Sequence, residues 1–316
     1  MTKILICGAG SIGERHIKNL QYLGFKDFVL LRTKKKTLRT VKDNFLVETD
    51  LYKALEHKPD IAIICNPSHL HLKTAISCIK NDCHLFIEKP ITHNRKGWTK
   101  FLELIKKKKK QVFVGYMMRF HPCILKMNSW VNEGRIGKVI HYRSKWGEYL
   151  PNWHPWENYK HSYAGKKEMG GGPALTLSHD IDLALLFCGK PKNVYGLINK
   201  ESKLKISSDH IIDILIKFNN KSTANIHLNY LNNPPERKIE IIGTKGQIQF
   251  DYYKNEALLF LDGKKISKKK LIDFDRNQLF LDEMKYFLKL VKDNKSITSN
   301  IEDAFQVADM AIKASK

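Results

Sequence analysis

The chain contains a lysine and a histidine whose surroundings suit proton and hydroxyl chemistry. Lys89 ends a short apolar run in the order Glu88-Lys89-Pro90. An ammonium group there can hydrogen-bond a hydroxyl or carbonyl oxygen and stabilise developing negative charge. His179 lies three residues before Asp182, and histidine is the side chain that ordinarily exchanges protons near neutral pH. The plainer alternatives are a solvated surface lysine and a histidine that closes a helix start.

Three glycines near the N-terminus predict a dinucleotide site. An apolar, strand-like run stops at Gly8, and Gly8, Gly10 and Gly13 then follow the spacing G-x-G-x-x-G as a helical period begins. Gly8 permits a tight turn, Gly10 lets the backbone approach a pyrophosphate, and Gly13 lets the helix pack closely on the strand. The pyrophosphate is expected on the helix N-terminus, at Ser11 and Ile12.

The end of the second predicted strand, Phe28–Arg32, bears on which dinucleotide is bound. An acidic residue about 20 residues past the glycines would bind the ribose 2′-hydroxyl of NAD. Here Arg32, Thr33 and Lys34–Lys36 occupy this stretch, and no carboxylate occurs before Asp43. An arginine fork can pair bidentately with a phosphate. The sequence therefore favours NADP(H) over NAD(H), and dual specificity stays open if Arg32 stacks on adenine instead.

Alternating strands and helices in the first part of the chain predict a doubly wound parallel sheet. The apolar runs Pro59–Cys65, His84–Ile87 and Gln111–Gly115 lack alternation, which is typical of parallel strands covered on both faces. Such sheets bind ligands at the carboxyl ends of their strands. The residues expected at those ends are Gly8, Arg32, Asn66, Glu88, Lys89 and Tyr116.

The second part of the chain predicts an antiparallel sheet. Ile212, Ile214 and Ile216 alternate with more polar neighbours, and Asn219-Asn220 is a turn signal. Helices near Leu279–Val291 and Glu302–Ala314 are expected to close the chain. The predicted strands are Lys138–Trp146, Asn193–Asn199, His210–Phe218, Ser222–Tyr230, Arg237–Gly243, Gln247–Asp251 and Ala257–Leu261.

Composition limits the class of protein. The 316 residues suffice for two domains, and no apolar run approaches the length of a membrane span. Six cysteines without metal-ligand spacing predict free thiols in a reducing cytoplasm and no metal site. The formal charge of +23 raises nucleic acid as a partner. The lysines, however, cluster in tracts such as Lys106–Lys110 and Lys268–Lys270 without interleaved aromatic residues, which favours solvated ends of elements.

Several motifs, in order, resemble the glucose-fructose oxidoreductase / inositol dehydrogenase family, Gfo/Idh/MocA. The resemblance covers nearly the whole chain. It implies a Rossmann domain over residues 1–119 and an α+β domain over 120–316, whose large, open and mostly antiparallel sheet forms subunit contacts in a homo-oligomer, a dimer or a tetramer. The motifs are Gly8–Gly13, Asn66-Pro67-Ser68-His69-Leu70-His71, Glu88-Lys89-Pro90, Gly115–Pro122, Gly134–Gly137, Gly170–Gly172 and Ile239–Gly246.

The resemblance also implies roles for single residues. Lys89 resembles the family's catalytic lysine, with a cis bond to Pro90, and His179 resembles its proton-transfer histidine. His179 and Asp182 match the pattern D-x-G-x-H-x-x-D, whereas Leu175 and Leu177 replace its first Asp and its Gly. Residues that the resemblance places at the cofactor are Asn66, Pro67, His71, Glu88 and Lys89.

Other residues are candidates for substrate contacts. The stretch from Trp153 to Tyr159 is rich in aromatic side chains, on which sugar rings stack, and Tyr163 follows it. The same loop is equally interpretable as an anchor on the sheet or a dimer contact. Arg119 is expected to bind an anionic group or to form a salt bridge. Ser178 is expected to cap the helix that begins at His179.

Together these features predict an NAD(P)(H)-dependent oxidoreductase that transfers a hydride to or from a carbinol carbon of a sugar, a polyol or a sugar derivative. The expected catalytic residues are Lys89 and His179. The expected substrate contacts are Lys89, Arg119, Trp153, Tyr163, His179 and Asp182. The replacement of the family Asp by Leu175 motivates an alternative, a dinucleotide-binding sensor with reduced catalysis. A basic nucleic-acid binder is a second alternative.

Overall fold

The computed structural model describes residues 2–33, 38–42, 44–293 and 298–316. They form two compact units. One comprises residues up to Tyr116 together with Asn277–Phe305, and the other comprises Met117–Arg276 together with Gln306–Lys316. The single division expected after residue 119 stays a prediction, and the structure groups the segment 277–305 with the N-terminal unit.

The first unit contains a six-stranded parallel sheet. Its strands are β1 (Lys3–Cys7), β2 (Asp27–Leu31), β3 (Leu46–Glu48), β4 (Ile61–Ile64), β5 (His84–Glu88) and β6 (Val112–Gly115). The helices between them are α1 (Ser11–Tyr22), α2 (Leu51–Glu56), α3 (Ser68–Lys80) and α4 (Trp98–Lys108). The strand order is β3-β2-β1-β4-β5-β6. The order reverses between β1 and β4, the switch point where such sheets bind ligands, so the predicted doubly wound sheet is confirmed.

Apolar strands form the core of this unit. Ile4, Leu5 and Ile6 of β1 and Ile63 of β4 are completely buried, as parallel strands with both faces covered require. Strand β3 was not among the strands predicted from the sequence. It has only three residues and its Leu46 is exposed, so no apolar run marks it.

The second unit contains an eight-stranded sheet. Its elements are α5 (Pro122–Asn132), β7 (Val139–Gly147), α6 (Pro173–Thr176), α7 (His179–Cys188), β8 (Pro191–Asn199), β9 (Ile211–Phe218), β10 (Thr223–Asn229), β11 (Glu236–Gly243), β12 (Gly246–Asp251), β13 (Glu256–Leu261) and β14 (Lys264–Lys270). Two helices close the chain. They are α8 (Asn277–Asp293), which belongs to the first unit, and α9 (Thr298–Ala314), which is divided between the two units. The order is β14-β13-β12-β11-β7-β10-β9-β8. Only β7 and β10 pair in parallel, so the mostly antiparallel sheet is confirmed.

The two faces of this sheet differ in polarity. Ile212, Ile214 and Ile216 of β9 are buried, and α7 packs against β7 and β10. Leu215, on the opposite face of β9, is 47% exposed. No helix in the described part of the chain is long and apolar enough to cross a membrane.

The lysine tract near residue 268 lies in a strand rather than at the solvated end of an element. Strand β14, with the sequence KKISKKK, pairs with β13 and forms one edge of the sheet. Lysines on an edge strand discourage further strand pairing. The tract was not predicted to be a strand because nearly all of its side chains are polar, so it lacks alternating apolar residues.

Candidate active site

The Gly8–Gly13 turn has the shape that a dinucleotide pyrophosphate needs. Gly8 has a φ of +95°, and a Cβ atom there would lie 2.6 Å from the backbone nitrogen of Asn66. A Cβ atom on Gly13 would collide with the Gly8 carbonyl oxygen, whereas one on Gly10 would meet no atom within 4 Å. Packing therefore requires two of the glycines. Gly10 borders open space at the start of α1, where free N–H groups favour an anion, and this arrangement fits the predicted cofactor.

The Glu14 carboxylate, for which the sequence contains no local signal, anchors the segment after β2. Its oxygens accept the N–H groups of Arg39 and Thr40, both at 2.7 Å, and the Thr40 hydroxyl. Burial opposes its ionisation, but these hydrogen bonds hold the pKa of Glu14 below its ordinary value. The ionised Glu14 fixes the backbone of residues 39 and 40 against the first turn of α1.

Arg32 and Thr33 directly follow β2, at the carboxyl edge of the sheet. The Arg32 N–H donates to the Glu48 carbonyl oxygen at 2.9 Å. The Glu48 carboxylate lies 3.0 Å from Nε2 of His57. Strand β3, which was not predicted, thus pairs the backbone of Glu48 with that of Arg32, and the Glu48 carboxylate is engaged by His57. Lys34–Lys36, which follow Thr33 in the sequence, lie outside the described residues.

His71 ties together the segments that follow β4 and β5. Its Nε2 lies 2.6 Å from the Asn66 carbonyl oxygen, and its Nδ1 lies 2.8 Å from that of Pro90. Burial lowers the pKa of His71. The Asn66 amide donates to the Thr74 hydroxyl at 2.9 Å, and Pro67 leads into α3. Asn66 and His71, both predicted near the cofactor, therefore lie together.

Lys89 follows β5, and its peptide bond to Pro90 is cis. The adjacent Glu88 is buried, with Oε1 at 2.8 Å from Nε2 of His16, while Oε2 accepts the Lys89 N–H at 3.2 Å. Burial opposes ionisation of Glu88, but the His16 hydrogen bond, with smaller contributions from Lys89 and His71, holds its pKa below the ordinary value. An ionised carboxylate therefore accompanies Lys89 at the end of β5.

His179 opens α7 in the second unit and is buried. Its ring stacks on Trp146, with centroids 6.1 Å apart and planes inclined by 30°. One turn later, the fully buried Asp182 accepts Nε and Nη2 of Arg119 at 2.7 to 3.1 Å. Of the two expectations for Arg119, the structure therefore shows the salt bridge. Roles for Arg119, His179 and Asp182 toward substrate stay predictions.

The start of α7 differs from the predicted cap. Ser178 has helical backbone angles, φ −64° and ψ −7°, and its hydroxyl caps no N–H group. Ser178 does occupy the predicted position directly before the helix, but the side-chain cap is absent, because a capping hydroxyl needs an extended backbone there. Instead Asp180 accepts Nε of Arg237 at 2.9 Å, and the Arg237 guanidinium lies 3.9 Å from the Trp146 ring centroid. The contacts of Arg237 with Asp180 and Trp146 join residues far apart in the sequence, and no motif spacing predicts them.

The aromatic loop after β7 lines a pocket within the second unit. Trp153, Tyr159 and Tyr163 all face this pocket. Trp153 packs edge-on against Tyr230 at 5.4 Å, which anchors the loop on the sheet. The buried Trp153 Nε1 has no hydrogen-bond partner among the described residues. Aromatic side chains thus make up much of the lining of this pocket. In the described segments, no group of three or more His, Cys, Asp or Glu side chains could hold a metal ion.

Comparisons with known proteins agree with this architecture. The family model "Oxidoreductase family, NAD-binding Rossmann fold" matches residues 2–116, and the model "GFO/IDH/MocA C-terminal domain" matches residues 124–249. Both halves of one family's architecture are therefore matched in order.

Individual relatives cover nearly the whole chain. The myo-inositol 2-dehydrogenase of Thermotoga maritima is 26% identical over 95% of this chain and 91% of its own length. The scyllo-inositol 2-dehydrogenase (NAD(+)) of Bacillus subtilis is 25% identical over 92% of this chain and 86% of its own length. A structure of levoglucosan dehydrogenase in complex with NADH and levoglucosan shares the fold, with a TM-score of 0.83 and 17% identity over 99% of this chain and 96% of that one. With the glycine turn and Glu88-Lys89-Pro90 at the edge of one parallel sheet, these matches mean that the chain belongs to the Gfo/Idh/MocA family of NAD-binding oxidoreductases.

Proposed function

We propose that this chain is an NAD(P)(H)-dependent dehydrogenase or reductase acting on a carbinol carbon of a polyol, a sugar or a sugar derivative, nucleotide-activated sugars included. The observation that carries the proposal is the glycine turn together with Lys89, both at the carboxyl edge of the same parallel sheet. Relatives named inositol dehydrogenases support polyol-like substrates. They do not favour the alternative of a sensor with reduced catalysis.

The roles of the side chains follow from their chemistry. When bound, the nicotinamide dinucleotide supplies or accepts the hydride. Gly10, Ser11 and Ile12 would hold its pyrophosphate on main-chain N–H groups. Lys89 donates a hydrogen bond to the substrate oxygen and stabilises the negative charge that develops there. His179 takes the hydroxyl proton or returns it.

An assay with two cofactors tests the function directly. The purified chain is incubated with NAD⁺ or NADP⁺ and a panel of polyols, aldoses and nucleotide sugars, and the absorbance of reduced nicotinamide is followed. Turnover on a member of the panel supports the proposal. Dinucleotide binding without turnover across the panel in both directions would instead indicate the sensor.

NADP(H) is the proposed preferred cofactor, and Arg32 is the residue on which the preference depends. We expect wild type to have a higher kcat/KM with NADP(H). Arg32→Ala should lower kcat/KM for NADP(H) by roughly ten- to a hundredfold, because it removes charge-assisted hydrogen bonds to the 2′-phosphate. The value for NAD(H) should change little, since the 2′-hydroxyl does not need that fork.

The exposed Arg135 of the second unit provides a matched control. Arg135→Ala removes the same charge and should leave the ratio of the two kcat/KM values unchanged. A wild-type preference for NAD(H), or an equal loss with both cofactors in Arg32→Ala, would contradict the 2′-phosphate role.

A homo-oligomer is proposed through the open face of the eight-stranded sheet. Tyr195 of β8 and Leu215 of β9 are register partners and are 65% and 47% exposed, and Leu197 is 72% exposed. Such adjacent apolar side chains are costly to leave in water. A cytoplasmic location is proposed on the six cysteines, all free thiols.

Tyr195→Glu tests this surface. If the open face joins two copies, a buried carboxylate should disrupt the contact and shift the mass measured by light scattering towards the monomer. Tyr22→Glu is the matched control, because Tyr22 is 77% exposed on α1 of the first unit. A mass unchanged in Tyr195→Glu would count against this face.

A further inference from the structure

A buried carboxyl group that the proposed chemistry does not use lies in the first unit. Glu283 of α8 is completely buried, and no N–H or O–H group of the described residues donates a hydrogen bond to either of its oxygens. Its neighbours on the same helix face are apolar, Phe280, Met284 and Phe287 among them. Burying a carboxyl group without a partner is unfavourable, and an apolar side chain would fill the space at lower cost. We therefore infer that the carboxyl group of Glu283 interacts with another polar group.

The glycine that ends β6 shows where the Glu283 carboxyl group lies. A Cβ atom on Gly115 would be 3.4 Å from Oε2 of Glu283 and 2.8 Å from the Phe86 ring. Gly115 and Glu88 are register partners in β6 and β5. Register partners project to the same face of a sheet. The missing side chain at Gly115 thus leaves room for Glu283 on the face to which Glu88 projects.

Glu88 is able to accept one more hydrogen bond. Its Oε1 is engaged by His16 and its Oε2 by the Lys89 N–H, and an ionised carboxylate has about four acceptor sites. The other titratable groups around the two acids are His16 of α1, Cys65 after β4, His71 of α3 and Lys89.

The two carboxyl groups shift in opposite directions. Burial, followed by the charge of Glu88, raises the pKa of Glu283 well above its ordinary value, although Lys89 opposes the shift. The pKa of Glu88 is lowered. Two neighbouring acids with opposed shifts settle as one acid and one anion. Glu283 is then the partner that carries a proton.

We propose that Glu283 is a positioning residue of the Lys89 site, whose carboxyl group donates its proton in a hydrogen bond to the Glu88 carboxylate and so holds that anion beside Lys89. No proton leaves the pair. Lys89 makes the contact with substrate, and Glu283 acts only through Glu88. The consequence for Lys89 rests on the proposed function, whereas the protonation of Glu283 does not.

Two substitutions of similar size separate this role from simple filling of space. In Glu283→Gln the carboxamide N–H still donates to Glu88, whereas Glu283→Met fills the volume without a donor. Loss of the donor raises the pH at which Glu88 takes up a proton, by about one pH unit for one hydrogen bond. We therefore expect the acid limb of NADPH binding, followed by nicotinamide fluorescence, to move up by about that amount in Glu283→Met and to stay near wild type in Glu283→Gln.

A spectroscopic measurement tests the proton itself. The infrared difference spectrum between wild type and Glu283→Gln at neutral pH should contain the C=O stretch of a protonated carboxyl group. Thermal unfolding provides a second readout. A folded pKa above the unfolded one contributes stability at low pH that is lost as pH rises towards the folded pKa. The difference in melting temperature, Glu283→Gln minus wild type, should therefore increase as pH rises above the ordinary carboxyl pKa.

These outcomes distinguish the two proposals. An absent carboxyl band, or an acid limb in Glu283→Met that stays at the wild-type position while the protein folds, overturns the role of Glu283. Neither measurement needs turnover. Failure of the substrate panel alone would therefore overturn the dehydrogenase function and leave the Glu283–Glu88 hydrogen bond standing.

Discussion

Replacing Lys89 with alanine should lower kcat by about a thousandfold while the dinucleotide still binds. Lys89 follows the buried strand β5, next to the Glu88 anion and the cis bond to Pro90. An ammonium group held there stabilises charge on the substrate oxygen, which is greatest in the transition state. Its removal should therefore lower kcat and kcat/KM together. Steady-state kinetics on a substrate from the panel, with dinucleotide affinity from fluorescence titration, measure both quantities.

Lys96→Ala is the matched control, because Lys96 is an exposed lysine a few residues further along the chain. It removes an equal charge from the same unit and should keep wild-type kinetics. If Lys89→Ala retains a kcat near that of Lys96→Ala, Lys89 is not catalytic. If instead the dinucleotide no longer binds, Lys89 serves the cofactor rather than the substrate.

The parallel sheet of the first unit was predictable because its signals are local. Apolar runs without alternation and the glycine turn identify β1, β4 and β5 from short windows of sequence. Strand β3 was missed, and with it Glu48, whose backbone carbonyl accepts the Arg32 N–H. Glu283 was missed for a different reason. It lies on the face of β5 only after the chain has passed through Met117–Arg276 of the second unit, and a short sequence motif cannot predict a contact over that separation.

The second unit shows the same limit. Alternation predicted β9 and its neighbours, but the parallel pairing of β7 with β10 joins strands far apart in sequence. A lysine-rich strand such as β14 has no apolar face, so its sequence does not show the alternation by which a strand is predicted. The surroundings of His179 combine an arginine from β11 with a tryptophan from β7, and only the register of the sheet brings them together.

His179 is the residue with the second-largest expected effect. His179→Gln should lower kcat by roughly a hundredfold or more, the usual contribution of a general acid–base group. The pH profile of kcat should show one imidazole-type ionisation in wild type, provided that proton transfer limits the rate, and should lose it in the variant. The reason is that Leu175 replaces the family Asp, while the other candidate partner, Asp182, is already engaged by Arg119. We therefore expect His179 to be the group at the start of α7 that exchanges the proton with substrate.

His161→Gln separates this effect from a general loss of histidine, because His161 is exposed in the same unit. It should retain both the rate and the pH profile. Trp146→Phe adds a graded test. It keeps an aromatic ring beside the imidazole but removes the indole that lies against Arg237, so a moderate fall in kcat with the ionisation retained is expected. A pH profile that is unchanged in His179→Gln would reject His179 as the proton carrier and direct attention to Tyr159 or Tyr163, whose hydroxyl groups lie in the aromatic loop that lines the pocket.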